Sequence, residues 1–331
     1  MKRVIVVRTP LRLPIGGGGT DLPWYYSQHK GSFISAGIDK YITIVLKHRN
    51  FHDEVLVKYS KTEETTDINT IQNERVREAL KLLGVTKSVE IVSFSDIPSN
   101  TGLGGSSTFT VALLHALHIY KKEYVSFQKL AEEACQVEIN ALKQPIGKQD
   151  QYAATFGGIN HYTIFKNGSV ITTPLTLSAQ TIRELENNLF LFYTGIKRNA
   201  SEVLQNQKDT AQKDPSRGIE GMHQIKEIGE EIRKALETGN TRRFGEWMNV
   251  HWDVKKKLSD KMTDPQIDKW YDHAIANSAV GGKIMGAGGG GFFMFYCDTN
   301  QKQFVDAMTK EGLQYMPFKF DWDGTRVLFN A

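Results

Sequence analysis

Cysteine is nearly absent from this chain. Cys135 and Cys297 are the only two in 331 residues. They are too few for a disulfide framework and lack the CxxC or Cys/His spacing that holds zinc, so two buried free thiols in a reducing compartment are expected. Long apolar runs are missing as well: the uncharged stretch 284–297 is glycine-rich and short of the ~20 residues that cross a bilayer. After Met1-Lys2-Arg3 only Val4 to Val7 precede Arg8, whereas a secretory apolar region needs about 7 to 15 residues. No export signal is expected, and the expected location is cytoplasmic. Charge of one sign is lacking too. Lys plus Arg number 41 against 37 Asp plus Glu, a net charge of +4 spread over both halves, which gives no basic arm or stripe for nucleic acid. The slight positive bias suits an anionic small molecule. Familiar nucleotide signatures are also missing. No GxxxxGK[ST] occurs, which excludes a Walker-type P-loop, and neither HRD nor DFG occurs, which excludes a protein kinase. Gly286, Gly288 and Gly291 satisfy GxGxxG, but 292–297 continues as a strand instead of opening a helix, so the Rossmann context fails.

What is present reads as alternating regular structure, and the length suggests about two domains. Strand-like runs rich in β-branched and aromatic residues occupy 4–7, 33–36, 41–47, 55–59 and 89–94,. Val76, Ala79, Leu80 and Leu83 recur at helical spacing up to Gly84, a natural C-terminal stop,. A second helix carries Phe109, Ala112, Leu113, Ala116 and Leu117 as one apolar stripe, and a third follows Ser126,. Short strands at 159–164 and 189–193 precede charged helices at 199–212, 218–237, 241–259 and 264–277. The end reads as a strand at 283–285, a glycine loop, a strand at 291–297, a helix at 301–311 and strands at 314–320 and 325–329. A boundary is expected in 181–188, dividing the chain into domains 1–185 and 186–331. Strands and helices mix without strict βαβ alternation, which predicts two α+β domains rather than a doubly wound sheet.

Three glycine clusters stand far apart, at 16–19, 102–105 and 286–291. One alone is as well explained by a tight turn; three together point to a phosphate or nucleotide site. In the middle cluster Pro98-Ser99-Asn100-Thr101-Gly102-Leu103-Gly104-Gly105-Ser106-Ser107 follows a strand and runs into a helix. Backbone amides at a positive helix end make a ready anion site, able to cradle a triphosphate. Ser106 and Ser107 sit where one hydroxyl could ligate Mg²⁺, or where one could cap the helix. Glu138 falls on the apolar face of the third helix with Leu130 and Ala134, so its carboxylate needs a partner, a metal ion or a basic side chain. Asp150, in Gly147-Lys148-Gln149-Asp150-Gln151-Tyr152, is either a second functional carboxylate or an N-cap. Near the start, Arg12 lies on an expected strand that leads through Gly16-Gly17-Gly18-Gly19 to Asp21.

Taken in order, these segments resemble the GHMP sugar and metabolite kinases over the whole chain. Arg12 to Asp21 looks like their first motif, Pro98 to Ser107 like their phosphate loop, and Lys283-Ile284-Met285-Gly286-Ala287-Gly288-Gly289-Gly290-Gly291 like their C-terminal glycine motif. The resemblance implies an N-terminal ribosomal-protein-like α+β domain and a C-terminal ferredoxin-like domain with the active site between them. It implies ATP bound by Pro98, Thr101, Gly102, Leu103, Gly104, Gly105, Ser106 and Ser107, and Mg²⁺ held by Ser106 and Glu138. Asp150 matches the catalytic aspartate and Arg12 the basic residue beside it. Asp21 matches the aspartate that binds substrate hydroxyls, with Gly17, Gly18, Gly19, Gly288 and Gly289 also implied at the substrate. Gly18 and Gly19 stand where galactokinases carry Glu and His, so the galactose-binding set is absent.

Within the family the pattern is most similar to the kinases of D-glycero-D-manno-heptose 7-phosphate, which phosphorylate the anomeric hydroxyl on the way to nucleotide-activated heptose. The residues are Arg8-Thr9-Pro10-Leu11-Arg12, 96–107, 147–152 and Tyr193-Thr194-Gly195 followed by Arg198. A phosphorylated acceptor adds a dianion, for which Lys197, Arg198 and Lys148 are the candidate partners. Fucokinase-like or mevalonate-type acceptors and a non-catalytic sensor are the alternative readings. The partners expected are ATP and a small sugar phosphate, with neither nucleic acid nor a membrane, and with a homodimer as the assembly left open.

Overall fold

The computed structural model describes residues 4–197, 200–259 and 261–331. Strands β1 (Val4–Gly16), β2 (Gly31–His48), β3 (Val55–Lys58), β4 (Thr62–Thr65), β5 (Val89–Ser95), β6 (Ile159–Ile164) and β7 (Val170–Pro174) form one sheet. A second holds β8 (Leu189–Tyr193), β9 (Gly281–Ile284), β10 (Phe292–Tyr296) and β11 (Gln314–Met316). The last strand, β12 (Arg326–Asn330), returns to the first sheet and pairs with β1. Residues 186–331 therefore contribute to both sheets.

The runs expected as separate strands at 33–36 and 41–47 are one long strand, β2. It pairs with β1 on one edge, while its other edge takes β6 along 31–36 and β5 along 42–48. A register shift between Pro10 and Leu11 lets the chain bend there without breaking,. Among the described residues only β3 and β5 pair in parallel, in keeping with an α+β architecture. The second sheet has the order β11-β8-β10-β9 and is antiparallel throughout. With helices inserted after its first and third strands, this is the ferredoxin-like arrangement.

The helices are α1 (Pro23–His29), α2 (Glu74–Leu83), α3 (Gly105–Tyr120), α4 (Phe127–Cys135), α5 (Gln149–Phe156), α6 (Ala179–Asn188), α7 (Ala200–Lys213), α8 (Pro215–Glu237), α9 (Thr241–Lys256), α10 (Pro265–Ala276) and α11 (Gln301–Lys310). Their ends follow capping chemistry. Asn73 accepts from the Val76 amide to start α2, and Gly84 in the left-handed region ends it,. Ser178 likewise accepts from the Thr181 amide and starts a helix, α6, that covers 181–188, the segment where a domain boundary is expected.

Helix α3 corrects the expectation of a single apolar stripe. Val111 and Leu114 are buried as well as Ala112, Leu113, Ala116 and Leu117, because β1 and β2 cover one side and α2, α4 and α5 the others. Each fully buried leucine or valine contributes about 1.5–3 kcal/mol, so the N-terminus of α3 is fixed by the main core. The second sheet packs Phe190, Phe192, Phe293 and Phe295 with Phe304 of α11 and Trp252 of α9. Helix α9 also sends Phe244 and Met248 into the main core, which fixes it between the two sheets.

Candidate active site

Segments far apart in the sequence meet in a cleft of about 350 Å³. Strand β1 brings Arg12, whose side chain is only 4% exposed. A buried guanidinium needs partners. Nε donates to one oxygen of Asp150 at 2.8 Å, Nη2 lies 2.7 Å from the same oxygen as an ion pair, and Nη1 donates to the Gly102 carbonyl at 2.6 Å. Asp150 keeps 30% of its side chain exposed and is the second residue of α5, whose N-cap is Lys148. The N-cap alternative for Asp150 therefore falls.

The loop entering α3 is built from unusual backbone. Asn100, Gly102 and Gly104 have φ of 61°, 83° and 78°, and Gly104 caps α3 without any side-chain hydrogen bond. The first-turn amides of a helix lack intrahelical partners, and here they open toward the cleft beside Ser106 and Ser107. Thr101, Gly102, Gly104, Gly105, Ser106 and Ser107 all line it. Leu103 and Pro98 do not: Leu103 is fully buried and its carbonyl accepts from the Arg12 amide at 3.2 Å, while the Pro98 carbonyl accepts from the Thr101 hydroxyl at 3.2 Å.

Asp21 faces the cleft from the opposite side. Its oxygens accept from the Gly19 amide at 2.9 Å and the Gln149 amide at 3.0 Å, so the start of α5 is anchored to the first glycine loop. Burial raises the Asp21 carboxyl above its ordinary range, against the two amides and with the Asp150 charge adding to the rise. Gly147 has to be glycine for this contact, because a Cβ there would overlap the Asp21 carboxylate.

Glu138 is met by protein donors. It lies on a π-helical turn, Gln136–Ala141, that extends α4, and its side chain is fully buried. Its partner is a basic side chain: Arg75 Nε donates to Oε1 at 2.8 Å. The Thr110 hydroxyl lies 3.1 Å from Oε1, and Gln151 donates to Oε2 at 2.6 Å. Of the pair implied for Mg²⁺, Ser106 is exposed in the cleft, whereas the Glu138 carboxylate is met on both oxygens by protein donors.

Other expected residues lie away from the cleft. Lys148 donates to both oxygens of Glu132, at 3.0 and 2.8 Å, and to the Gly168 carbonyl at 2.7 Å. Gly18 and Gly19 line the cleft, while Gly17 is pressed against the Ser32 carbonyl. Gly288 and Gly289 are buried against Met262, whose carbonyl accepts from the Gly289 amide at 2.8 Å; Gly286 and Ala287 line the cleft instead. Arg198 lies outside the described residues.

The sequence reading missed the cations on the C-terminal wall. His251 and Lys255 of α9 and Lys283 of β9 all line the cleft. Burial and the nearby Arg12 charge lower Lys255 to about 8, with Asp21 acting the other way. Burial and the charges of Lys255 and Arg12 push Lys283 well below the usual lysine range. The signals were present: Lys283 opens the third glycine motif, and Lys255 begins a Lys-Lys-Lys run that reads as a solvated helix face.

Comparison with known proteins agrees with this geometry. The GHMP kinases N terminal domain matches residues 70–158 and the GHMP kinases C terminal domain residues 232–313. The chain is 31% identical to D-glycero-alpha-D-manno-heptose 7-phosphate kinase of Campylobacter jejuni, across 98% of each chain. A solved structure described as a D-glycero-D-manno-heptose 1-phosphate kinase from Bacteroides thetaiotaomicron superposes with a TM-score of 0.81 at 25% identity, covering 98% of this chain and 99% of that one. A Lactococcus lactis galactokinase complexed with galactose shares the fold, with a TM-score of 0.79 at 17% identity over 98% of this chain and 95% of its own. Both family domains in order, and a relative similar from end to end, place the chain in the GHMP kinases: it is a member of that family and a small-molecule kinase.

Proposed function

We propose that the chain transfers the terminal phosphoryl group of ATP to the anomeric 1-hydroxyl of D-glycero-D-manno-heptose 7-phosphate, giving the 1,7-bisphosphate. One observation carries the reaction: Asp150 stands where the parts meet. It is joined through Arg12 to the phosphate loop and sits next to Gln149, whose amide holds Asp21. The acceptor follows from the Campylobacter jejuni relative, and a cytoplasmic setting goes with it.

Phosphoryl transfer asks a protein mainly for positioning and charge stabilisation. Amides of 104–107 hold the donor phosphates at the α3 terminus, and Asp150 takes or orients the proton of the attacking hydroxyl. Arg12 keeps the Asp150 carboxylate aimed and faces the charge that develops between donor and acceptor. Asp21 accepts from ring hydroxyls, and the buried Gln149 amide nitrogen, which lacks a partner among the described residues, can donate to one. The family's donor is ATP, typically with Mg²⁺, which neutralises phosphate charge. Ser106 would hold the metal from the cleft side, with Glu138 as the second ligand that the family resemblance implies, through the oxygen that Arg75 leaves free.

The test is ADP release from Mg²⁺-ATP with a panel of acceptors: the heptose 7-phosphate, sedoheptulose 7-phosphate, mannose 6-phosphate, fucose, galactose and mevalonate. Turnover confined to the heptose phosphate is the expected result, and turnover only with an unphosphorylated acceptor would overturn the assignment.

A further inference from the structure

Among the described residues lining the cleft, Asp21 and Asp150 are the acids, while Arg12, Arg75, Lys255 and Lys283 are cations. Asp150 is paired with Arg12 and Glu138 with Arg75. Lys255 and Lys283 have no carboxylate partner among the described residues. Lys255 donates to the Gly286 carbonyl at 2.5 Å and Lys283 to the Ile15 carbonyl at 2.7 Å. Lys283 is only 2% exposed. Beside them His251, also 2% exposed, has neither ring nitrogen hydrogen-bonded among the described residues.

An ammonium in a protein interior without a counter-ion is costly. Here two of them share one wall, and the Lys255 charge adds to the cost at Lys283, so the wall is poised for an anion. Each ammonium has three N–H donors and spends one on a carbonyl, which leaves donors for several oxygens at once. Lysines serve as point charges for phosphate. The amides at the α3 terminus form a separate cradle on the N-terminal wall, so the cleft holds two anion-attracting features rather than one.

We infer that Lys255, Lys283 and His251 form a second phosphate subsite, on the C-terminal wall of the cleft, that takes a phosphate dianion. This deepens the kinase reading above and rests on it. The dianion has two sources, the phosphate already on the acceptor or the terminal phosphate of ATP, and kinetics separates them.

Lys255→Met and Lys283→Met keep side-chain length and remove charge. In each, we expect KM for the phosphorylated acceptor or for ATP to rise at least about tenfold, with the other within about threefold, equivalent to roughly 1.4 kcal/mol or more of lost binding. A rise for the acceptor assigns the subsite to its phosphate, and a rise for ATP to the donor. The ligand-free melting temperature should hold or increase, since an unmatched buried charge is gone; Lys255→Arg should recover part of the lost affinity. Calorimetric titration with inorganic phosphate, which needs no acceptor, should show one binding site fewer in the methionine variants, with the α3 cradle retained. If no phosphorylated sugar is turned over by the native chain, the heptose assignment fails while this titration still decides the subsite. Unchanged phosphate binding with both KM values within about threefold overturns the inference. So does a lowered melting temperature with both KM values raised alike, because that describes a structural role.

Discussion

Replacing Gly147 by alanine tests the link between the first glycine loop and the helix that carries Asp150. The φ of Gly147 is not among the positive ones, so alanine meets no backbone penalty, and in open space the change would stabilise by about 0.4–1 kcal/mol through the unfolded chain. The space is not open. A Cβ at 147 would overlap the Asp21 carboxylate and crowd the Asp21 backbone carbonyl as well, so rotation of the Asp21 side chain alone does not relieve it. The carboxylate must move off the Gln149 amide that it accepts from at 3.0 Å. A hydrogen bond to a charged group contributes about 1.5–3 kcal/mol, and each 1.4 kcal/mol is a factor of about ten. Gly147→Ala is therefore expected to raise the acceptor KM about 10- to 100-fold, with the KM for ATP within about threefold. Steady-state ADP release at varied acceptor and then varied ATP reads both, and a melting curve monitors the fold. An acceptor KM within about threefold of the native value would refute the role given to Asp21.

Asp150→Asn is expected to lower kcat about 10²- to 10⁴-fold, the range for a positioned base, with a nearly native melting temperature because Asp150 is partly open to the cleft; single-turnover phosphoryl transfer measures it. Lys148→Met removes the contacts to Glu132 and Gly168 and should destabilise the fold by about 1–3 kcal/mol without a selective rise in acceptor KM. A rise confined to the acceptor would return Lys148 to the substrate. Glu230 joins α8 to the first sheet by accepting from Ser32 at 3.0 Å and lying 3.2 Å from His161. The hydrogen bond to His161, then Ser32, then the charges of His161 and Arg233 lower its carboxyl from 4.5 to about 2, against desolvation. A depressed carboxyl adds stability that is complete above its unfolded pKa and lost as pH falls toward its folded one. Glu230→Gln should therefore flatten the decline in stability between pH 4.5 and about 2, read by denaturant unfolding; an unchanged acid limb would remove this ion pair from the account.

Local signals made much of this legible. Capping residues and glycine stops marked α2 and α4, and alternating β-branched runs marked the strands. Gly102 to Ser107 stand out through a glycine-rich strand–helix junction, while Arg12, Asp21 and Asp150 stand out only through the family resemblance. What escaped depended on distant neighbours. The boundary read in 181–188 falls on a helix whose Leu185 is packed in the core. Lys148 and Lys255 look equally solvated in sequence; the first is buried against Glu132 and away from the cleft, the second sits on the Gly286 carbonyl at the cleft wall. Glu138 needed a partner, and Arg75, sixty-three residues earlier, could not be chosen without the fold.

The third glycine motif packs directly on the phosphate loop. Gly286 sits against Gly102, where a Cβ on either would strike the other loop's backbone. Phe292 donates to the Thr101 carbonyl at 3.2 Å, and a Cβ on Gly291 would strike that same carbonyl. All five glycines Gly286, Gly288, Gly289, Gly290 and Gly291 have positive φ, a conformation costly for other residues. These glycines thus allow the close packing of one loop on another. The phosphate loop is gripped from both sides: by Arg12 through the carbonyls of Gly102 and Leu103, and by the C-terminal loop through Thr101. A reaction whose rate depends on holding donor and acceptor in line needs that grip, and it explains why a motif that touches so little of the cleft accompanies one that lines it.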